Sequence, residues 1–377
     1  MPHGQLISPQ DVEDFISGLT IYGTGGGGRI DAGRDALMPL IEKGVVPRWR
    51  DLDTVGDDEL FCSLSGIGSI APVPPMTEEQ LVSNGYPTKQ LTTPPMVLAL
   101  RTLEAHLGKT VTGVYPIELG AGNSTTPLAA AMAAGIDMVD CDCAGKAIPE
   151  MSQNLIALAG VPFAPASYAD PWGMSLTVTG CNSSVLGERL GKAISTVTKA
   201  ADMKAQCARA AFVVDGRTLK KHAIGGNLTR ALNLGRTISA ARQAGEDPVK
   251  RIAEYLNGYI LHSGRIVKKV WESRDGYMYG DLYIEAPNGS KARIWLKNEN
   301  HILWIDGEVK ATSPDLITIH DSRTGESDTN TNIQEGMDVS IIATPAPKQL
   351  RVPEIVAAHG PRHYGFDIDY VPVEERQ

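Results

Sequence analysis

Two acidic residues stand one apart in Met138-Val139-Asp140-Cys141-Asp142-Cys143-Ala144-Gly145-Lys146-Ala147-Ile148-Pro149-Glu150. On an extended strand alternate side chains share a face, so Asp140 and Asp142 point one way and Cys141 and Cys143 the other. Neighbouring carboxylates repel, and one keeps its proton to a higher pH than its twin. Such a pair serves general acid/base chemistry or binds a cation. The competing reading makes Asp142 a loop cap and Asp140 an ion-pair partner of Lys146, with Glu150 near the start of the next helix. A second constellation is Pro116-Ile117-Glu118-Leu119-Gly120-Ala121-Gly122-Asn123-Ser124-Thr125-Thr126-Pro127. An apolar strand reaches Glu118, and the spacing predicts a helix that opens with Thr126 as cap and Pro127 at its first position. Loops that follow sheet strands gather ligands, so Glu118 and Asn123 are placed to touch a substrate. Alternatively, Glu118 caps a turn and Asn123 serves the loop's own amides. The third constellation is Thr24-Gly25-Gly26-Gly27-Gly28. A glycine run between two helical segments suggests a backbone that turns sharply and offers bare amides to a polar ligand, where a flexible linker is the plainer reading.

Other chemistry has less support. Structural zinc needs four ligands in recognisable spacing, and His106, His222 and His262 are isolated in the sequence. A metal assembled from distant residues stays open, but no cofactor is required by this reading. A cysteine nucleophile at Cys141 or Cys143 competes with the commoner buried, inert thiol. Arg230 and Arg236, on a helix after Gly225-Gly226, could meet a carboxylate but read more simply as solvated.

The elements that must carry these residues alternate. Ser8-Pro9-Gln10-Asp11 starts a helix with Val12, Phe15, Ile16 and Leu19 on one face, and a second runs from about Gly33 to Lys43. Strands are expected at 60–64, 111–119, 138–142, 175–178 and 211–214, with helices at 96–107, 127–134, 149–159 and about 185–208 between them. Residues 219–257 read as mostly helical, broken near Gly225-Gly226 and Asp247-Pro248. This alternation predicts an α/β domain over 1–257 with a mixed or mostly parallel sheet. From 258 short strands follow, separated by turns such as Arg274-Asp275-Gly276, Pro287-Asn288-Gly289 and Asp306-Gly307. A smaller all-β domain over 258–377 is expected, with Trp271, Trp295 and Trp304 in its core. The aromatic stretch Gly360–Tyr370 is expected to pack back on the body.

Composition bounds the rest. The 377 residues are 42% hydrophobic and 21% charged, with a formal net charge of −9. This is a globular balance, and the acidic charge argues against nucleic acid as a partner. No apolar run approaches the length of a membrane span, and no signal peptide is evident, so a cytoplasmic location is expected. Five cysteines make no disulfide framework. A homo-oligomer is expected on general grounds.

Taken together these residues resemble the S-methyl-thiohydantoin desulfurases, a group often encoded near hydantoinases. The likeness runs nearly end to end. It rests on Thr24–Gly28, Glu118-Leu119-Gly120-Ala121-Gly122-Asn123, and Asp140-x-Asp142 followed by Gly145-Lys146-Ala147 and Pro149-Glu150. It continues through Asn298-Glu299, Pro314-Asp315-Leu316-Ile317, and Gly360-Pro361-Arg362 with Gly365-Phe366-Asp367. The resemblance implies an N-terminal α/β and a C-terminal β domain, and removal of sulfur from a five-membered thiohydantoin ring to leave a hydantoin.

The leading expectation is hydrolysis at the sulfur-bearing ring carbon, with Asp140, Asp142 and Glu118 as acid and base. Thr24, Gly25, Gly26, Gly27, Asn123, Lys146 and Glu150 would hold a small-molecule ring. The alternatives are a phosphate- or ATP-dependent hydrolase of a cyclic amide, and a non-catalytic accessory of a hydantoinase. In each case the three loops should converge on one pocket, with Asn298 and Glu299 of the β domain as a wall contributing little chemistry.

Overall fold

The computed structural model describes residues 4–67, 76–87, 89–199 and 207–376. Ser8 caps the first helix, α1 (Pro9–Tyr22), by accepting from the Asp11 amide, and Pro9 stands where no amide is needed. The glycine run follows directly and leads into α2 (Ile30–Glu42), which starts three residues earlier than Gly33. The strands of the first sheet are β1 (Gly4–Gln5), β2 (Arg48–Asp51), β3 (Leu60–Ile67), β4 (Gly113–Tyr115), β5 (Asp137–Asp142), β6 (Ala166–Ala169), β7 (Ser175–Val178), β8 (Cys207–Asp215) and β9 (Ile224–Gly225). Their order is β1-β2-β5-β4-β3-β8-β6-β7, with β9 on β5. Strands β2, β5, β4 and β3 run parallel, whereas β8, β6 and β7 are antiparallel to their neighbours. The sheet is therefore mixed.

Helices α3 (Glu78–Ser83), α4 (Pro95–Leu107), α5 (Ala121–Ala134), α6 (Leu155–Leu158), α7 (Ser184–Lys199), α8 (Gly216–His222), α9 (Asn227–Ala244) and α10 (Pro248–Leu256) complete this domain. One core joins α1, α4, α5 and α9 through Phe15, Leu19, Leu100, Leu128 and Leu232. A second forms around Tyr115, Val139, Phe163 and Phe212.

Several local expectations need correction. Helix α5 begins at Ala121, so Thr126 and Pro127 lie inside it. Pro127 removes only the amide that would have reached the Asn123 carbonyl, and the Thr125 and Thr126 hydroxyls donate back to the carbonyls of Ala121 and Gly122 at 2.5 and 2.7 Å. The strand expected over 111–119 shrinks to β4, and the helix expected over 149–159 to a short turn and α6. Helix α7 is described to Lys199; of the helix expected to about 208, residues 200–206 lie outside the described ones, and Cys207 and Ala208 open β8 instead.

The last third of the chain is built on β-strands. Strands β10 (Tyr259–Arg274), β11 (Tyr277–Glu285), β12 (Lys291–Lys297), β13 (Glu299–Ile305), β14 (Glu308–Thr312), β15 (Leu316–Asp321) and β16 (Asp338–Thr344) form one antiparallel sheet in the order β14-β13-β12-β11-β10-β16-β15. Asp275 and Gly276 both have positive φ and close the tight β10–β11 hairpin. Helix α11 (Pro353–His359) and the tail fold back, setting Phe366 4.9 Å and Tyr364 5.4 Å, ring to ring, from Trp295. None of the three tryptophans is in the β core: half of Trp271 is exposed on the outer part of β10, and Trp295 and Trp304 are half-buried against Phe366 of the tail.

Candidate active site

The parallel strands decide where the site lies. The carboxyl ends of β3, β4 and β5 lead to Gly66-Ile67, Glu118 and Ile148-Pro149, and all of these line one cleft of about 210 Å³. Gly26, Gly27 and Gly28 form another side, with Gly122 and Asn123 beside them. The second domain closes the cleft with Asn298, Glu299, and the hairpin tip at Gly276-Tyr277.

The glycine loop works as a joint between domains. Its first half is clamped to the β sheet: the Asn300 amide donates to the Thr24 carbonyl at 2.8 Å, the Asn330 amide to Gly25 at 2.6 Å, and the Thr24 hydroxyl to Ile317 at 3.0 Å. Its second half meets α5, where the amides of Gly122 and Asn123 both donate to Gly27 at 3.1 Å. Close approach explains the glycines here. A Cβ at Gly120 would lie 2.2 Å from the Gly27 backbone, and one at Gly26 would lie 1.9 Å from Glu299 Oε1. The amides of Gly27 and Gly28 donate to no described atom, and both residues line the cleft. The N-termini of α2 and α5 meet here too, the first with its Ala32 amide bound to Asp31 Oδ1 at 2.9 Å and the second with its Gly122 and Asn123 amides bound to Gly27.

Glu118 is held from two sides. Asn123 Nδ2 donates to its Oε1 at 2.7 Å and the Ile148 amide to its Oε2 at 2.6 Å. It keeps some accessible surface in the cleft while protein surrounds the rest. Burial pushes its carboxyl up to about 8 against the pull of the Ile148 amide, with Glu188 and Asp142 reinforcing the rise. Glu299, on β13, is almost fully buried, and its Oε2 has no hydrogen-bond partner among the described residues. Burial first, then the field of Glu118, holds its carboxyl far above the usual range, and Lys146 opposes this. Two carboxyl groups from different domains thus face one cleft, both biased towards the protonated form.

Cations complete the wall. Arg209 on β8 is buried, donates through Nη2 to Ser65 at 3.0 Å, and has an unengaged Nε. On α7, Glu188 accepts from the Tyr277 hydroxyl at 2.7 Å, and Lys192 Nζ stands 3.1 Å from the centre of the Tyr277 ring.

Of the residues singled out in the sequence, Glu118, Gly26, Gly27 and Asn123 come together in the cleft. Thr24 and Gly25 lie behind it in the domain joint. Lys146 is fully buried, its Nζ donating to Ser313 Oγ at 3.1 Å, and burial lowers its basicity against the pull of Glu299 and Asp315. Glu150 is bound by Lys297 and by His363.

Asp140 and Asp142 do not line the cleft. Asp140 does not pair with Lys146 but closes the start of α9, accepting from the amides of Leu228 and Thr229 and from the Thr229 hydroxyl. Asp142 Oδ2 accepts from the amides of Ala144 and Gly145 at 2.8 and 2.6 Å, and its Oδ1 from Asn227. Burial raises both carboxyls, that of Asp142 to about 6. Cys141 and Cys143 are fully buried, and burial drives their thiols far above the range of a nucleophile. Among the described residues no cluster of three or more His, Cys, Asp and Glu side chains is placed to hold a metal ion, and no helix is long and apolar enough to cross a membrane.

Glu299, Arg209, Glu188, Lys192 and Tyr277 escaped the sequence reading as chemical groups. Only the Asn298-Glu299 motif carried any signal.

The crystal structure of a protein from Chromobacterium violaceum shares this fold, with a TM-score of 0.76 and 22% identity over 98% of this chain and 100% of that one. No curated protein matches the chain. The S-Me-THD-like N-terminal domain matches residues 10–180, and the S-Me-THD-like C-terminal domain matches residues 187–373. With both halves matched, the chain belongs to the S-methyl-thiohydantoin desulfurase family.

Proposed function

We propose that this protein is a hydrolase that replaces the sulfur of an S-methyl-thiohydantoin, or of the parent thiohydantoin, with oxygen. The observation that carries the reading is the pair Glu118 and Glu299, two carboxyls with raised proton affinity facing one cleft beside Gly27 and Gly28.

In this reading the ring lies between Glu118 and Glu299 with its sulfur-bearing carbon over the Gly27-Gly28 amides. Ionised Glu118 takes a proton from water as its oxygen bonds to that carbon. The amides of Gly27 and Gly28 and the Arg209 guanidinium stabilise charge that builds on the ring. Glu299, protonated, gives its proton to the departing sulfur as the carbon–sulfur bond breaks, so methanethiol or hydrogen sulfide leaves. Collapse to the carbonyl passes the second proton of the water to the ring nitrogen of the S-methyl substrate, or to the leaving hydrosulfide of the parent thiohydantoin, and transfer of the first proton from Glu118 to Glu299 through solvent restores the starting state. Asp140 and Asp142 hold α9 and the 143–147 loop in place, and Lys146 tunes Glu299 from behind.

The glycine run Gly25–Gly28 is followed by Arg29-Ile30 and not by the Lys-Ser/Thr of a phosphate-binding loop, which sets this reading above an ATP-dependent ring opening. We further propose a cytoplasmic homo-oligomer without nucleic-acid partners, in keeping with the net charge of −9. The test is incubation of the pure protein with thiohydantoins and their S-methyl derivatives, with assay of hydrogen sulfide and methanethiol. Release that depends on intact Glu118 and Glu299 supports the reaction. An absence of release across the whole panel would leave the accessory role beside a hydantoinase.

A further inference from the structure

A second cavity, of about 440 Å³, adjoins the cleft. Gly66 and Thr126 belong to the walls of both. Its remaining wall comes from α2, the segment leading into α4, and α5, through residues such as Leu40, Leu91, Met96, Ala130 and Ala133. No ionisable side chain lines it among the described residues.

Helix α5 shows how the two spaces connect. Asn123, Thr126, Ala130 and Ala133 follow one another at helical spacing and share one face. Along that face the lining passes from a polar amide bonded to Glu118, through a hydroxyl, to methyl groups. From Asn123 to Ala130 the rise is about 10 Å, the scale of one ring and its substituent. A ligand that sets its polar ring against Glu118 therefore meets an apolar chamber on one side only.

We infer that this chamber receives an apolar substituent on the ring carbon away from the sulfur, so that the substrate is a thiohydantoin bearing an aliphatic or aromatic side chain. The inference rests on the reaction proposed above. A five-membered ring alone leaves the chamber filled with water against apolar walls. A branched aliphatic group would displace that water and gain the burial of a leucine-sized side chain, which corresponds to roughly tenfold to a hundredfold in binding. An ionised substituent finds no counter-charge there among the described residues and loses its hydration. Discrimination of this size is what an apolar pocket delivers between substituents that differ by a few carbons.

The experiment compares S-methyl-thiohydantoins derived from glycine, leucine and aspartate by turnover, and the three matching hydantoins by calorimetric binding. The leucine-derived ring should exceed the glycine-derived ring in kcat/KM and in affinity by roughly tenfold or more, with the aspartate-derived ring lowest. Ala129→Phe and, on the more exposed rim, Ala133→Phe should erase the preference while leaving turnover of the glycine-derived ring unchanged. Equal turnover and binding for the glycine and leucine rings would overturn the chamber's role and leave the reaction standing. Tight, leucine-selective binding without sulfur release would do the reverse. Absence of both binding and release would overturn both.

Discussion

Replacing Glu118 with glutamine removes one proton-transfer site while keeping the acceptor for Asn123 Nδ2 and most of the side chain's volume. Because the carboxyl titrates near 8, about a tenth of it is ionised at pH 7 and about nine tenths at pH 9. If ionised Glu118 activates water, kcat/KM should rise about fivefold from pH 7 to 8 and about tenfold from pH 7 to 9. Initial rates of methanethiol release between pH 6 and 10 should trace that curve. Glu118→Gln should lower the rate by about a hundredfold to ten-thousandfold and flatten it. Stability supplies an independent check. The folded value lies above the ordinary carboxyl value of 4.5, so stability is fully present below the unfolded value and is lost as pH rises through about 8. The melting temperature of the wild type should therefore fall over that window more steeply than that of Glu118→Gln. A rate that is flat or falls through pH 8, or a glutamine variant with full activity, would refute the assignment of Glu118 as base.

Glu299→Gln should fold, since Oε2 has no partner to lose, yet slow sulfur release by about a hundredfold or more, measured by single-turnover kinetics with pH-jump controls. Asp142→Asn turns one acceptor into an amide facing the Asn227 side chain, and urea melts should register a loss of about 1–3 kcal/mol while folded molecules still turn over. Gly26→Ala places a methyl 1.9 Å from Glu299 Oε1; it should cost about 1–3 kcal/mol and most of the activity, both absent if the loop can yield. A thiol reagent should label Cys181 first in the native protein, because Cys62, Cys141, Cys143 and Cys207 are buried, and Cys143→Ala should retain turnover.

How far these features could be read in advance follows from how local their causes are. The cap at Ser8 and the turns at Asp275-Gly276 and Asp306-Gly307 are written in a few consecutive residues, so α1 and the strand sequence of the β domain were legible. Glu118 and Asn123 were legible as a strand end, a glycine pair and a helix. The onset of α5 was not, because Pro127 imitates a first position although it lies inside the helix. Asp140 and Asp142 do alternate on a buried strand, but the helix terminus and the Asn227 amide that occupy them lie more than eighty residues downstream. Glu299 and Arg209 reach the cleft only once two sheets have formed and docked, and no short window of sequence records that event.

The joint at Thr24 and Gly25 has a consequence for how this protein can be divided or recombined. One carboxyl of the cleft belongs to the first sheet's domain and the other to the second, and the loop between them is tied to Asn300 and Asn330 by its own backbone. A fragment ending before β10 would carry Glu118 beside a glycine loop without its anchor, and the complementary fragment would carry Glu299 with nothing to face. Neither half is a smaller version of the whole. Exchange of one half between distant relatives would have to preserve a backbone-to-backbone seam as well as side chains, so the two halves are expected to be inherited as a single unit.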